Sequence, residues 1–77
     1  MENRKQILIS LGIKVKTLRE DLKISQEQLA DSCQFDRTYI SLIERGKRNI
    51  SLINLLKLSK GLNITPSKLI EDLEYDN

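Results

Sequence analysis

Apolar residues recur along this chain at intervals of three or four, broken by short polar stretches. In residues 4–22 they fall at Leu8, Leu11, Val15, Leu18 and Leu22, which is one face of an amphipathic helix. The pattern breaks at "LKIS". Ser25 is suited to cap a second helix that runs from Gln26 to about Ser32, with Glu27 in its first turn and Leu29 and Ala30 inward. After the turn "CQF", Asp36 is placed to cap a third helix over about Arg37 to Arg45, which Gly46 stops. Ser51 opens a fourth helix, with Leu52, Leu55, Leu56 and Ser59 as its inward positions and Gly61 at its end. Thr65 opens a fifth, with Pro66 at the first position, where a missing N–H costs nothing, and Leu69, Ile70 and Leu73 as its apolar stripe. No segment alternates long enough to read as a strand. The expected fold class is therefore all-α: a single compact domain of five helices spanning residues 1–77.

A turn of about three residues between the second and third helices is the dimension of a helix-turn-helix. The stretch "QEQLADSCQFDRTYISLIE", residues 26–44, has the parts such a unit needs. Ala30 allows two helices to cross steeply, and Leu29, Phe35, Ile40 and Ile43 can lock them together. The third helix would then project from the body and enter a DNA major groove by its first residues. Arg37, Thr38 and Ser41 are the candidate base contacts. Arginine is the best bidentate reader of guanine, and a threonine methyl can meet a thymine methyl. Gln26, at the start of the second helix, is a candidate phosphate contact together with the exposed amides there. The loop "RGKRN" sets Arg45, Lys47, Arg48 and Asn49 beside the groove, where they can meet phosphates.

Each of these residues has a plainer reading. A cation in the first turn of a helix opposes the helix dipole, so Arg37 asks for a reason to be there. Thr38 serves equally as a solvated residue of poor helix propensity, and Ser41 as a small residue that only permits close approach. Tyr39 either packs its ring on the body or reaches DNA with its hydroxyl. Charge runs such as Arg45, Lys47 and Arg48 usually mark a solvated face, and Asn49 fits a turn residue ahead of Ser51.

Composition narrows the classes of function. The chain has one cysteine and no histidine among 77 residues. An internal disulfide cannot form, a zinc-finger type of metal site is not expected, and the commonest general base is missing. Cys33 reads as a small buried filler rather than a redox switch. No nucleophile–base pair, metal set or phosphate loop is present, so neither an enzyme nor a cofactor is expected. The longest apolar run is Ile7-Leu8-Ile9, and "MENRKQILIS" lacks the apolar length of a secretory signal, so the expected location is the cytoplasm. The net charge of +2 is unevenly spread. Residues 1–60 hold twelve Lys or Arg against seven Asp or Glu, and residues 61–77 hold one against four. A basic body with an acidic tail suits a polyanionic partner at one end.

The stretch resembles the Cro/C1-type helix-turn-helix regulators, over about residues 8–73. Within that family "DRTYISLIERGKRNISLINLLKLSKGL" is similar to the controller proteins of restriction–modification systems, through Arg-Thr-Tyr, Glu-Arg and Arg-Asn. The resemblance implies an ion pair between Arg19 and Glu44, base contact by Arg37 and Thr38, and roles at or near the DNA backbone for Tyr39, Arg48 and Asn49. It also implies a homodimer on paired operator half-sites that regulates its own promoter and the endonuclease gene. The sequence departs from the family at Gln34, where glycine is common, so Gln34 is expected to accept a positive φ at some strain.

The last helix carries more apolar surface than one short terminal helix needs. Leu62, Ile64, Leu69, Ile70, Leu73 and Tyr75 are the candidate dimer interface, with Leu69 and Leu73 partly inside. The expected partners are a double-stranded DNA operator, a second copy of the chain, and RNA polymerase through Glu27 and Asp31; no membrane and no small-molecule ligand is expected. The alternatives are a phage-type repressor or general regulator of the same fold, and an antitoxin-like protein-interaction module.

Overall fold

The computed structural model describes residues 2–74, and Tyr75 lies outside them. It contains five helices and, among the described residues, no strand. They are α1 (Glu2–Asp21), α2 (Gln26–Cys33), α3 (Arg37–Glu44), α4 (Leu52–Gly61) and α5 (Pro66–Ile70). Compared with the sequence expectation, α1 begins two residues earlier and α3 ends one residue sooner. No helix among the described residues is long and apolar enough to cross a membrane.

The starts of the helices follow the caps written in the sequence. Ser25 forms a full capping box: its Oγ accepts from the Gln28 N–H, and the Gln28 side chain accepts from the Ser25 N–H. Ser51 and Thr65 accept from the N–H groups three residues on, at Asn54 and Lys68. Asp36 stands at the cap position of α3 with extended backbone, but its side chain makes no capping bond.

The ends follow one rule four times. After each of α1 to α4 a residue in the left-handed region turns the chain: Lys23 (φ 59°), Gln34 (φ 62°), Gly46 (φ 72°) and Asn63 (φ 63°). Each reversal is closed by two main-chain bonds of the Schellman pattern. After α2, Phe35 N–H donates to Ala30 and Gln34 N–H to Asp31; after α3, Lys47 N–H donates to Leu42 and Gly46 N–H to Ile43. Gln34 therefore does take the positive φ expected of it. Gly61 is the last residue of α4, as expected, and Asn63 makes the reversal. Gly61 is needed for space, because a Cβ there would overlap the Cys33 sulfur.

The core is drawn from all five helices and the residue after α4. Leu11, Val15, Leu29, Ala30, Cys33, Ile40, Ile43, Leu58, Leu62 and Leu69 are buried. Each large aliphatic among them contributes about 2 kcal/mol by leaving water. α1 packs on α3 and α5, α2 packs on α3 and α4, and α4 packs on α5. At the α1–α3 crossing the backbones nearly touch: a Cβ on Gly12 would stand 2.5 Å from the Ile43 carbonyl oxygen. Sequence periodicity did not single out Gly12.

The register of α4 differs from the expectation. Leu58 and Ser59 face inward, Leu55 is half-buried, and Leu52 and Leu56 are exposed. α4 packs on α2 and α5, and the side it presents to the core carries Leu55, Leu58 and Ser59. Leu22 is likewise largely exposed, after the end of α1. Helix α5 closes at Ile70, so Leu73 sits beyond it on a turn, with its N–H on the Ile70 carbonyl.

These placements correct the expected dimer surface. Leu62 and Leu69 are 1% and 0% exposed within a single chain, so they belong to its core and have nothing left to offer a partner. Ile64 and Leu73 are half-buried against the same core, and Ile70 remains exposed. The larger exposed apolar strip is on α4: Leu52 at 70%, Ile53 at 64% and Leu56 at 44%.

Candidate nucleic-acid interface

Helix α3 is anchored by its apolar side, where Ile40 and Ile43 are fully buried. It packs on α1 and α2 and keeps the opposite side open. On that side Arg37 and Thr38 are exposed at the first turn, and Ser41 is half-buried one turn on. Arg37 forms no ion pair with the described residues. Its guanidinium is free to meet an outside anion or a base edge.

The C-terminal end of α3 is fixed by a polar junction. Arg19 Nε donates to Glu44 Oε2 at 2.6 Å, Nη2 donates to Glu44 Oε1 at 3.1 Å, and Nη1 donates to the Ile24 carbonyl at 2.9 Å. Both side chains are largely withdrawn from water, with 12% and 3% of their surface exposed. The bonds it donates to the Glu44 carboxylate raise the Arg19 pKa above its ordinary value and hold it cationic. This fork ties α1, the α1–α2 turn and α3 into one frame.

Gln26 joins that junction. Its Nε2 donates to Glu44 Oε1 at 3.0 Å, and the residue is half-buried. One amide hydrogen is thus committed to Glu44, and the second remains for an outside acceptor. Sequence reasoning paired Glu44 with Arg19 alone.

Tyr39 is held on three sides. Its ring meets Phe35 edge-on at 4.8 Å with an interplanar angle of 76°. The Arg48 guanidinium lies over the same ring at 5.7 Å. Its hydroxyl accepts a bond of 3.0 Å from Asn54 Nδ2, on the first turn of α4. The Tyr39 ring packs on the body and is half-buried. Asn54 and Lys57 went unnoticed in the sequence. A polar residue three positions after a capping serine reads as ordinary first-turn composition, and only the fold brings it to Tyr39.

Beyond α3, Lys47, Arg48 and Asn49 are exposed, as is Arg45, whose Nε makes a long bond of 3.4 Å to the Ser41 carbonyl. Gly46 makes this loop possible. A Cβ there would stand 2.9 Å from Ile9 Cα, so the reversal runs directly over α1. A hollow of about 410 Å³ opens between α3, the loop and α4, lined in part by Thr38, Tyr39, Arg48, Asn54 and Lys57. The arrangement is an array of N–H and O–H donors around one projecting helix, suited to a polyanion with readable edges.

A helix-turn-helix family profile matches residues 15–69. The chain is 54% identical over 71 residues to the control protein C.MunI from a Mycoplasma species, covering 91% of this chain and 96% of that protein. The chain belongs to the helix-turn-helix family of restriction–modification controller proteins. The family is one of DNA-binding regulators, not of enzymes. The crystal structure of the restriction–modification controller protein C.AhdI from Aeromonas hydrophila superposes with a TM-score of 0.79 at 44% identity, covering 80% of this chain and 94% of that one. The controller protein C.Esp1396I, solved as a tetramer in complex with its natural 35-base-pair operator, matches with a TM-score of 0.79 at 36% identity, covering 87% of this chain and 88% of that one. The fold and the controller resemblance expected from the sequence are thereby shown.

Proposed function

We propose that this controller protein acts in the cytoplasm as a homodimer on a DNA operator with paired half-sites, and that it governs its own promoter and an endonuclease gene. One observation carries the reading: the first turn of α3 exposes Thr38 and an Arg37 that has no ion pair among the described residues, on a helix fixed from behind. Arg37 and Thr38 read base edges, and Ser41 allows the close approach. Tyr39, Lys47, Arg48 and Asn49 hold the flanking phosphates, with Arg45 at their edge. Gln26, with its second amide hydrogen, and the main-chain amides at the start of α2 meet a phosphate. The domain acts as one unit, without cofactor or small-molecule effector.

The dimer forms across the strip of Leu52, Ile53 and Leu56, with Ile70 as a secondary contributor. Three large aliphatics exposed within two turns of one helix need cover, and a two-fold axis would bring the same strip from a second copy. Such a dimer sets two recognition helices about 34 Å apart, one turn of DNA. Coupling dimerisation to binding gives a steep response to concentration without a ligand. Glu27 and Asp31, both exposed on α2, are the surface proposed for RNA polymerase.

A footprint on the DNA upstream of the protein's own gene, at two salt concentrations, tests the reading. Two symmetric protected half-sites that persist at the higher salt are expected. Diffuse protection that disappears with salt would leave only non-specific electrostatic binding and would sink it.

A further inference from the structure

We infer that Asn54 is a positioning residue for DNA binding, which orients the Tyr39 hydroxyl as a donor and ties the loop carrying Arg48 to the recognition helix. The inference rests on the operator-binding reading above and adds to it a residue outside the helix-turn-helix unit.

A phenolic O–H prefers the plane of the ring, which leaves two sites on the oxygen, one for the hydrogen and one for an incoming donor. Asn54 Nδ2 supplies that donor at 3.0 Å. The Tyr39 proton is then directed away from Asn54, toward whatever enters the hollow that both residues line. Arg48 and Lys57 line the same hollow and favour an anion there, for which a DNA phosphate oxygen is the fitting acceptor. Without Asn54 the proton would be free to point either way, and the ring beneath Arg48 would lose its tether to α4.

Asn54 also has a fixed base. Its own N–H donates to Ser51 Oγ at 3.1 Å, so its side chain stands on the capped first turn of α4. Residues 45–51 run between α3 and that turn. The Asn54–Tyr39 bond closes this loop across its mouth, and Arg48 rests on the ring that the bond holds. One amide thus sets a hydroxyl and a guanidinium together. Asn54 acts through Tyr39 and does not itself need to touch DNA.

A double-mutant cycle separates this role from a merely structural one. Asn54→Leu keeps the size of the side chain and removes the donor. It is expected to weaken operator binding about three- to tenfold, through the Tyr39 and Arg48 phosphate contacts that it positions. In the Tyr39→Phe background the same substitution should change binding less than twofold, because the hydroxyl it serves is gone. Equal losses in both backgrounds, or none in the wild type, would overturn the inference. NMR of the free protein gives a second test that needs no DNA: the Asn54 side-chain amide should show a nuclear Overhauser contact to the Tyr39 ring and shift in Tyr39→Phe. An amide that ignores that substitution also overturns it. Wild-type protein that binds no operator while the amide still senses Tyr39 would instead refute the operator reading, and the DNA role with it.

Discussion

Arg19 and Arg37 carry the same guanidinium and meet the same helix from opposite ends. Arg19 reaches the C-terminal end of α3, where the helix dipole favours a cation, and spends its donors on Glu44 and on the Ile24 carbonyl. Arg37 is the first residue of α3, where the dipole opposes a cation, and it has no internal ion pair among the described residues. The first arginine builds the frame, and the second is kept at some electrostatic cost and left available. A cation placed against a helix dipole and left unpaired is a better pointer to an external anion than net charge, which is only +2 for the whole chain.

The sharpest way to break this contrast is at Glu44. Glu44→Ala leaves the Arg19 cation largely buried with its partner gone, and is expected to cost about 3 kcal/mol or more in urea denaturation. A loss under 1 kcal/mol would mean that the junction does not hold the frame. Next comes the backbone contact behind the helix. Gly12→Ala must push α1 away from the Ile43 and Glu44 carbonyls, and should cost about 2 kcal/mol by the same assay. On the exposed side the effects are smaller and appear in binding instead of stability. Arg48→Ala should weaken operator and random DNA alike by about 1 kcal/mol and lower the salt slope by about one, read from titrations at several salt concentrations.

The smallest effect concerns the turn between the two helices of the motif. Gln34 holds φ 62°, a conformation that costs a side chain energy and a glycine almost none. Gln34→Gly should therefore raise the melting temperature, by the equivalent of about 0.5–1 kcal/mol, with operator affinity unchanged. A lower melting temperature would show that the Gln34 side chain stabilises the turn in another way.

Helix identity and order were legible because caps and apolar spacing are local. Ser25, Ser51 and Thr65 do at the helix starts what their chemistry suggests. Helix ends were less legible, since three of the four left-handed reversals fall on Lys23, Gln34 and Asn63, and tertiary packing overrides the usual glycine there. Gly61 ends α4 as expected, but it serves close packing on Cys33 while Asn63 makes the turn. The exposed cations of the candidate site were legible as a cluster. The internal partners of Gln26 and Tyr39 were not, because Glu44 and Asn54 come to them only through the fold. Leu62 and Leu69, expected at a dimer surface, are covered within one chain for a similar reason. Periodicity shows that Leu52, Leu62 and Leu69 are apolar, but not which of them the other helices cover.

The central claim is that the first turn of α3 reads bases while the loop after it holds the backbone. It is tested most directly by titrating wild-type protein and Arg37→Ala against operator and random DNA of equal length at one fixed salt concentration. The account predicts a loss of about 1–3 kcal/mol on the operator and little change on random DNA, so that discrimination narrows. Equal losses on both DNAs would make Arg37 one more phosphate contact and contradict the assignment of base reading to this turn.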